Sequence, residues 1–226
     1  MFIPLKDLNP RRTYPIVNTT LILTNVLVFL YQYSLPPHAF KVFMTTYATI
    51  PARFPAWLSG QAPFESAFLP LLTSMFLHSG VLHIAGNMLF LWIFGDNVED
   101  FYGHFTYLFF YLFCGVGSGL LHAFFNMTSA VPALGASGAI SGVMGAYLIL
   151  YPRSQILTLV FVFLVPIPAV IILGLWFIMQ FLSAFSSLGS VASGGVAWWA
   201  HVGGFLLGML LTTMARGKRS ARWQSA

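Results

Sequence analysis

Residues 105–125 read FTYLFFYLFCGVGSGLLHAFF, a run of 21 positions without one Lys, Arg, Asp or Glu. Coiled as an α-helix at about 1.5 Å per residue, it is about 31 Å long, which matches a bilayer hydrocarbon core of about 30 Å. Working outward, the same apolar character recurs over Ile16–Tyr31, Val81–Val98, Ser137–Leu150, Ala169–Phe185 and Trp198–Met214. Six spans need about 120 residues. The expected fold is therefore all-α, a polytopic membrane protein with a bundle of six transmembrane helices. A further apolar stretch, 156–165, is too short to span and is closed by Pro166 and Pro168. It is expected to belong to a cytoplasmic connection lying against the helices; the alternative is that it extends the fifth span.

Composition supports the bilayer as solvent. Of 226 residues, 58% are hydrophobic and 7% charged, whereas a soluble domain carries about 25% charged residues. One membrane domain over 1–226 accounts for the chain, with no room for a soluble domain of ordinary size. The single cysteine, Cys114, excludes an intrachain disulfide. The first run is long and no small-residue cleavage site follows it, which argues against a removed signal.

Charge placement sets the topology. Lys6, Arg11 and Arg12 precede the first run, and Arg216, Lys218, Arg219 and Arg222 follow the last. Basic ends of this kind are retained in the cytoplasm, and an even number of spans puts both on one side. The basic tails, 1–15 and 215–226, are then cytoplasmic, and eight of the ten Lys and Arg lie inside. Asp96, Glu99 and Asp100 fall in the inner connection after span two, but acidic residues weigh little in this rule. The outer loop Ser34–Leu77 carries Pro36, Pro37, Pro51, Pro55 and Pro63 among aromatics, which suits a segment lying partly in the membrane interface. Residues 186–197, SSLGSVASGGVA, have the composition of a mobile loop.

Polar groups at membrane depth are costly and by default suggest function. His78, His83 and Asn87 lie at the start of span two, Ser137 opens span four and His201 lies just inside span six. In this topology all three spans begin on the outer side, so the five residues share one depth. His83 and Asn87, four apart, share a helix face. No His-Glu-x-x-His pair is present and no acid lies mid-span, so zinc and paired-aspartate hydrolysis lack their residues.

Gly135-Ala136-Ser137-Gly138 remains. Small neighbours leave Ser137 exposed where loop becomes helix. Span four, at about 21 Å, is shorter than the hydrocarbon core, so its N-terminus starts below the outer surface. Unpaired N–H groups and the positive dipole end of that helix suit an oxyanion. His201 is at the right depth to be the base, with His83 and Asn87 as donors. Gly138, Gly142 and Gly145 on span four and Gly204 and Gly208 on span six let the two helices approach closely. Taken singly, each feature is also what membrane helices use for packing. Four polar residues at one depth on three helices are harder to obtain from packing.

These residues resemble the rhomboid family of intramembrane serine proteases over about 71–208. The resemblance is carried by His-Ser-Gly-Val-Leu-His-Ile-Ala-Gly-Asn from His78 to Asn87, by Gly135-Ala136-Ser137-Gly138, and by Ala200-His201-Val202-Gly203-Gly204, with Glu99 and Gly103 resembling a further element. It implies a six-helix core, Ser137 as nucleophile and His201 as general base, with His83, Asn87 and the Ser137 N–H holding the oxyanion. His78 resembles a residue supporting the outer loop, and span five with Trp176 would flank substrate entry. Two departures stand out: Ser141 occupies a position that is aromatic in some members, and the Trp-Arg pair some carry in the first outer loop is missing.

The expected activity is endopeptidase cleavage of single-pass transmembrane substrates near the outer face by a Ser–His dyad. No metal, nucleotide, organic cofactor or nucleic acid is implied, and the expected location is a bacterial cytoplasmic membrane. A catalytically silent rhomboid-like factor that binds membrane proteins is the rival reading. A small-solute transporter is the second, and missing repeats and missing mid-span charges count against it.

Overall fold

Residues 138–147, in the middle of helix α7 (Ser137–Leu150), are all buried. A helix apolar on every side is one surrounded by other helices; the bundle has five longer helices, and the last four of them in the chain pack against this one. The five are α1 (Ile16–Ser34), α5 (Val81–Tyr102), α6 (His104–Phe125), α8 (Ala169–Ser186) and α9 (Trp198–Gln224). A computed structural model describes residues 2–187 and 196–224 of the chain. Within these, α1, α5, α6, α8 and the first 20 residues of α9 are long and apolar enough to cross a membrane. Helix α7, with 14 residues, is shorter. The outer faces are as apolar as the inner ones. On α6, Phe105, Phe109 and Phe113 recur every fourth residue and point outward, whereas Tyr107, Phe110, Tyr111 and Cys114 point into the core. That pattern fits lipid rather than water around the bundle.

Glycines set the closest contact, between α7 and α9. A Cβ at Gly204 would collide with the carbonyl oxygen of Gly138, and one at Gly208 with that of Gly142. From the other side, a Cβ at Gly145 would collide with the Phe205 carbonyl. Backbone therefore touches backbone along the seam, as small residues permit in lipid. Arg216 closes its end by donating from Nη1 to the Ile149 carbonyl at 3.0 Å, one of the carbonyls a helix C-terminus leaves unpaired.

The all-α expectation requires a correction. Residues 155–168 do not extend the fifth span; they are the connection ahead of it, as expected of 156–165, but an extended one rather than a helical one. They form a hairpin of β2 (Gln155–Val160) and β3 (Phe163–Pro168), and β1 (Phe2–Asp7) adds to it antiparallel in the order β1-β2-β3. Parts of the basic tails join these elements: Phe2–Asp7 of the first is β1, and 215–224 of the second continue α9. The prolines read as breakers are compatible with this sheet because Pro4, Pro166 and Pro168 all lie on its two edge strands. The hairpin turns at Phe161 and Val162, and Phe161 takes φ 54°, a conformation usually signalled by Gly or Asn.

The outer loop folds into α2 (Pro37–Tyr47), α3 (Arg53–Leu58), α4 (Phe64–Thr73) and a 3-10 turn (Ser74–Phe76). Phe54, Trp57, Phe64 and Phe68 pack ring against ring within it. The expectation of a mobile loop falls on 186–197, of which 188–195 lie outside the described residues.

At the opposite end, Glu99 is fully buried on α5 and ties the first two spans together. Its carboxylate accepts from the Val17 N–H at 2.9 Å and the Asn18 N–H at 2.7 Å, and also meets His104 Nδ1. It thus caps the N-terminus of α1, where an anion suits the helix dipole. The turn into α6 is made at Gly103, whose φ of 77° a side chain would strain. The acids at 96, 99 and 100 therefore belong to α5 itself. Asp100 accepts from the Arg12 N–H, the Thr13 N–H and the Thr13 hydroxyl, and Arg11 pairs with Asp96 at 3.5 Å.

Candidate active site

Three contacts fix the chain where it enters α7. Thr49 and Ala133 exchange backbone hydrogen bonds at 3.0 and 2.8 Å, and the Gly135 N–H donates to the Ser74 carbonyl at 2.9 Å. The outer loop thus holds the 126–136 connection in place. Gly135 then turns with φ 121°, a conformation that favours glycine. The absent side chain matters as much as the angle. A Cβ there would lie 2.8 Å from His83 Nε2 and 3.6 Å from Asn87 Nδ2. Ser137, two residues on, is the first residue of α7, so its N–H has no partner one turn back.

His201 comes from the first turn of α9 across the glycine seam. Its Nε2 lies 2.7 Å from Ser137 Oγ, and its Nδ1 lies 2.7 Å from Gln180 Oε1 on α8. The ring is flanked by Trp176, tilted 37° at 5.9 Å between centroids, and by Trp198, edge-on at 6.2 Å. These tryptophans supply the aromatic surroundings that position 141 does not. Ser141 instead turns its hydroxyl back to the Ser137 carbonyl at 2.6 Å.

Facing Ser137 are His83 and Asn87, one turn apart on α5. Ser79 fixes His83: its N–H lies 3.3 Å and its hydroxyl 2.9 Å from His83 Nδ1. Because the backbone N–H can only donate, Nδ1 is the acceptor and the proton sits on Nε2, toward Gly135. Asn87 Nδ2 is buried and has no hydrogen-bond partner among the described residues. Such a donor is expensive to leave unpaired, and it points to a partner that arrives with a ligand. Ser137, His201, His83, Asn87, Trp176 and Met144 line one cavity of about 500 Å³. Chemically, the arrangement offers a hydroxyl beside an imidazole nitrogen, with donors converging from the opposite wall.

His78 does not reach this cavity. It is buried beneath the outer loop, where its backbone N–H and carbonyl both pair with the Gln32 carboxamide. Its ring packs edge-on to His83 at 5.1 Å. Burial first, and the His83 ring second, push its pKa down to about 4. Gly138 and Gly204 act in the seam, and a Cβ at Gly138 would also strike Ser118. Among the described residues no group of three or more His, Cys, Asp or Glu has the spacing to hold a metal. The residue that sequence reasoning passed over is Gln180. It is one polar residue within the apolar run 169–185, one turn after Trp176, and that placement was its signal.

Residues 65–218 match the family model described as the Rhomboid domain. Among curated proteins, the chain is 27% identical over 175 residues to the mitochondrial Rhomboid protein 1 of Saccharomyces cerevisiae, covering 74% of this chain and 48% of that protein. It is 32% identical over 157 residues to the mitochondrial RHOMBOID-like protein 6 of Arabidopsis thaliana, covering 68% and 46%. It is 44% identical over 78 residues to the Rhomboid protease GluP of Bacillus subtilis, covering 34% and 15%. The chain thus spans about half the length of the first two relatives, and less of the third.

Proposed function

The chain belongs to the rhomboid family, and from that premise we propose that it is an intramembrane serine endopeptidase working from a six-span core, in which α7 is the short sixth span. The observation that carries the proposal is the 2.7 Å approach of His201 Nε2 to Ser137 Oγ at the opening of α7. Ser137 Oγ attacks the scissile carbonyl carbon while His201 Nε2 takes its proton. The oxyanion that forms faces the Ser137 N–H, Asn87 Nδ2 and His83 Nε2. As the tetrahedral intermediate collapses, His201 returns the proton to the leaving amine. Water, deprotonated by the same nitrogen, then releases the acyl-enzyme.

The substrates are single-pass transmembrane proteins, cut near the outer face where helix-weakening residues let a strand unwind. Span five with Trp176 flanks their entry from the lipid. Rhomboid protease GluP supports this reading by its name. We place the protein in a bacterial cytoplasmic membrane with both termini cytoplasmic. The orientation of the termini rests on the Lys and Arg distribution, and the bacterial membrane on the likeness to the Bacillus subtilis protein, the other two relatives above being mitochondrial.

A fluorophosphonate probe applied to the detergent-solubilised protein tests the mechanism. Labelling of the wild type, lost in Ser137→Ala and His201→Ala, is the expected result. Folded wild type that takes no label would instead favour the catalytically silent, membrane-protein-binding reading.

A further inference from the structure

We propose that Gln180 is a positioning residue for His201, holding the imidazole in the tautomer whose Nε2 accepts the Ser137 proton. The proposal rests on the serine-peptidase reading and adds a third member to its machinery. Gln180 is 8% exposed on α8, and its Oε1 lies 2.7 Å from His201 Nδ1. A carboxamide oxygen only accepts, so Nδ1 carries the ring proton. A neutral imidazole has one N–H, which leaves a lone pair on Nε2 facing Ser137 Oγ at 2.7 Å. With the opposite tautomer, Nε2–H would donate to the serine and no base would remain.

No carboxylate competes for this role. Asp7, Asp96, Glu99 and Asp100 are engaged with the N-terminal segment at the other end of the bundle, and Glu65 lies on α4 in the outer loop. A neutral acceptor also avoids placing a charge at membrane depth. Ser141 is occupied by the Ser137 carbonyl. Trp176 and Gln180, four residues apart on α8, present one face to His201: the indole packs beside the ring and the carboxamide bonds it. When Nε2 takes the serine proton, the imidazolium keeps its Nδ1–H on Gln180 Oε1. Gln180 itself neither gains nor loses a proton.

The test uses the full chain in detergent with Gln180→Met, which keeps the bulk and loses the acceptor, and Gln180→Glu, which restores one. The readouts are the rate of fluorophosphonate labelling, kcat and KM on a transmembrane peptide, and the ring ¹⁵N signals of His201, assigned by their loss in His201→Ala. Gln180→Met should slow labelling and lower kcat by about 10- to 100-fold with KM within about twofold, as expected for lost hydrogen bonding felt in the transition state. Gln180→Glu should recover most of both. Wild-type His201 should show its proton on Nδ1. Wild-type labelling by Gln180→Met, or an Nε2–H ring in the wild type, would overturn the proposal. If the wild type takes no label, the peptidase reading fails by itself. The ring signals then decide the Gln180 contact separately, Nδ1–H retaining it and Nε2–H removing it.

Discussion

Asn87 shows how much one side chain can indicate. Its Nδ2 is buried, without a partner among the described residues, and 3.6 Å from where a Gly135 Cβ would be. If it waits for an oxyanion, Asn87→Ala should lower kcat by about 10²- to 10³-fold with little change in KM, the usual effect of removing one such donor. Steady-state cleavage of a transmembrane peptide measures this. A KM effect alone would assign Asn87 to substrate binding instead. Gly135→Ala tests the same wall from the other side. The new methyl would press on the His83 ring and strain a backbone at φ 121°, so fluorophosphonate labelling should fall sharply while Ser137 and His201 remain. Residues 83, 87, 137 and 201 were legible in the sequence because polar atoms stand out in apolar runs and span parity gave them one depth. Gln180 carried the same signal but lay in a span assigned to substrate entry. What ties it to His201 is the side-by-side placement of α8 and α9, which no local spacing encodes.

Among the elements, the helices were legible and the sheet was not. Helix starts at 16, 81, 137, 169 and 198 agree with the ends of the apolar runs, because in lipid a helix is where the apolar run is. The strands failed to announce themselves for physical reasons. Ile156–Val160 is half-buried against the bundle, Phe163–Val165 is outward and apolar, and the turn lacks glycine. The buried positions of β2 alternate at Ile156 and Thr158, but one is apolar and one polar, so the sequence shows no matching alternation, and β1 pairs with a partner some 150 residues away. The α7–α9 seam makes an element-scale prediction. Gly208→Val would drive a side chain into the Gly142 backbone, where nothing flexible can move aside, and overpacking costs about 1–3 kcal/mol or more. Gly174 on α8 has open space around its missing Cβ, and Gly→Ala within a helix is favourable by up to about 1 kcal/mol. Thermal unfolding in detergent should therefore show a clear loss for Gly208→Val and none for Gly174→Ala. Equal losses would mean that α7 and α9 are not held as closely as the glycines imply.

At the scale of the whole molecule, the N-terminal strand is fastened through Asp7 to the end of the bundle away from Ser137, and this makes stability depend on pH. Asp7 accepts from the Asn9 N–H and from Asn97 Nδ2, both at 2.8 Å. Burial outweighs the pull of the Asn9 N–H and of the neighbouring Tyr147 hydroxyl and, with Asp96 adding a smaller push, raises its pKa from 3.8 to about 6. The folded state thus binds the Asp7 proton more tightly than the unfolded one. The stabilisation from protonated Asp7 is present in full below about pH 4 and is lost as pH rises through about 6. His78 works in the opposite direction. Its pKa is held down at about 4, so its contribution grows as pH rises over nearly the same window. The wild-type melting curve sums the two, and Asp7→Asn separates them, because the amide is neutral at every pH. Melting temperatures of wild type and Asp7→Asn should nearly coincide near pH 4. They should diverge through pH 5 and 6, with the variant the more stable above pH 6.5. Because Asp7 sits where β1, β2 and the end of α5 meet, the same comparison asks whether the sheet unfolds with the helices. A variant whose gain appears only in a separate, lower transition would show that the sheet melts independently of the bundle.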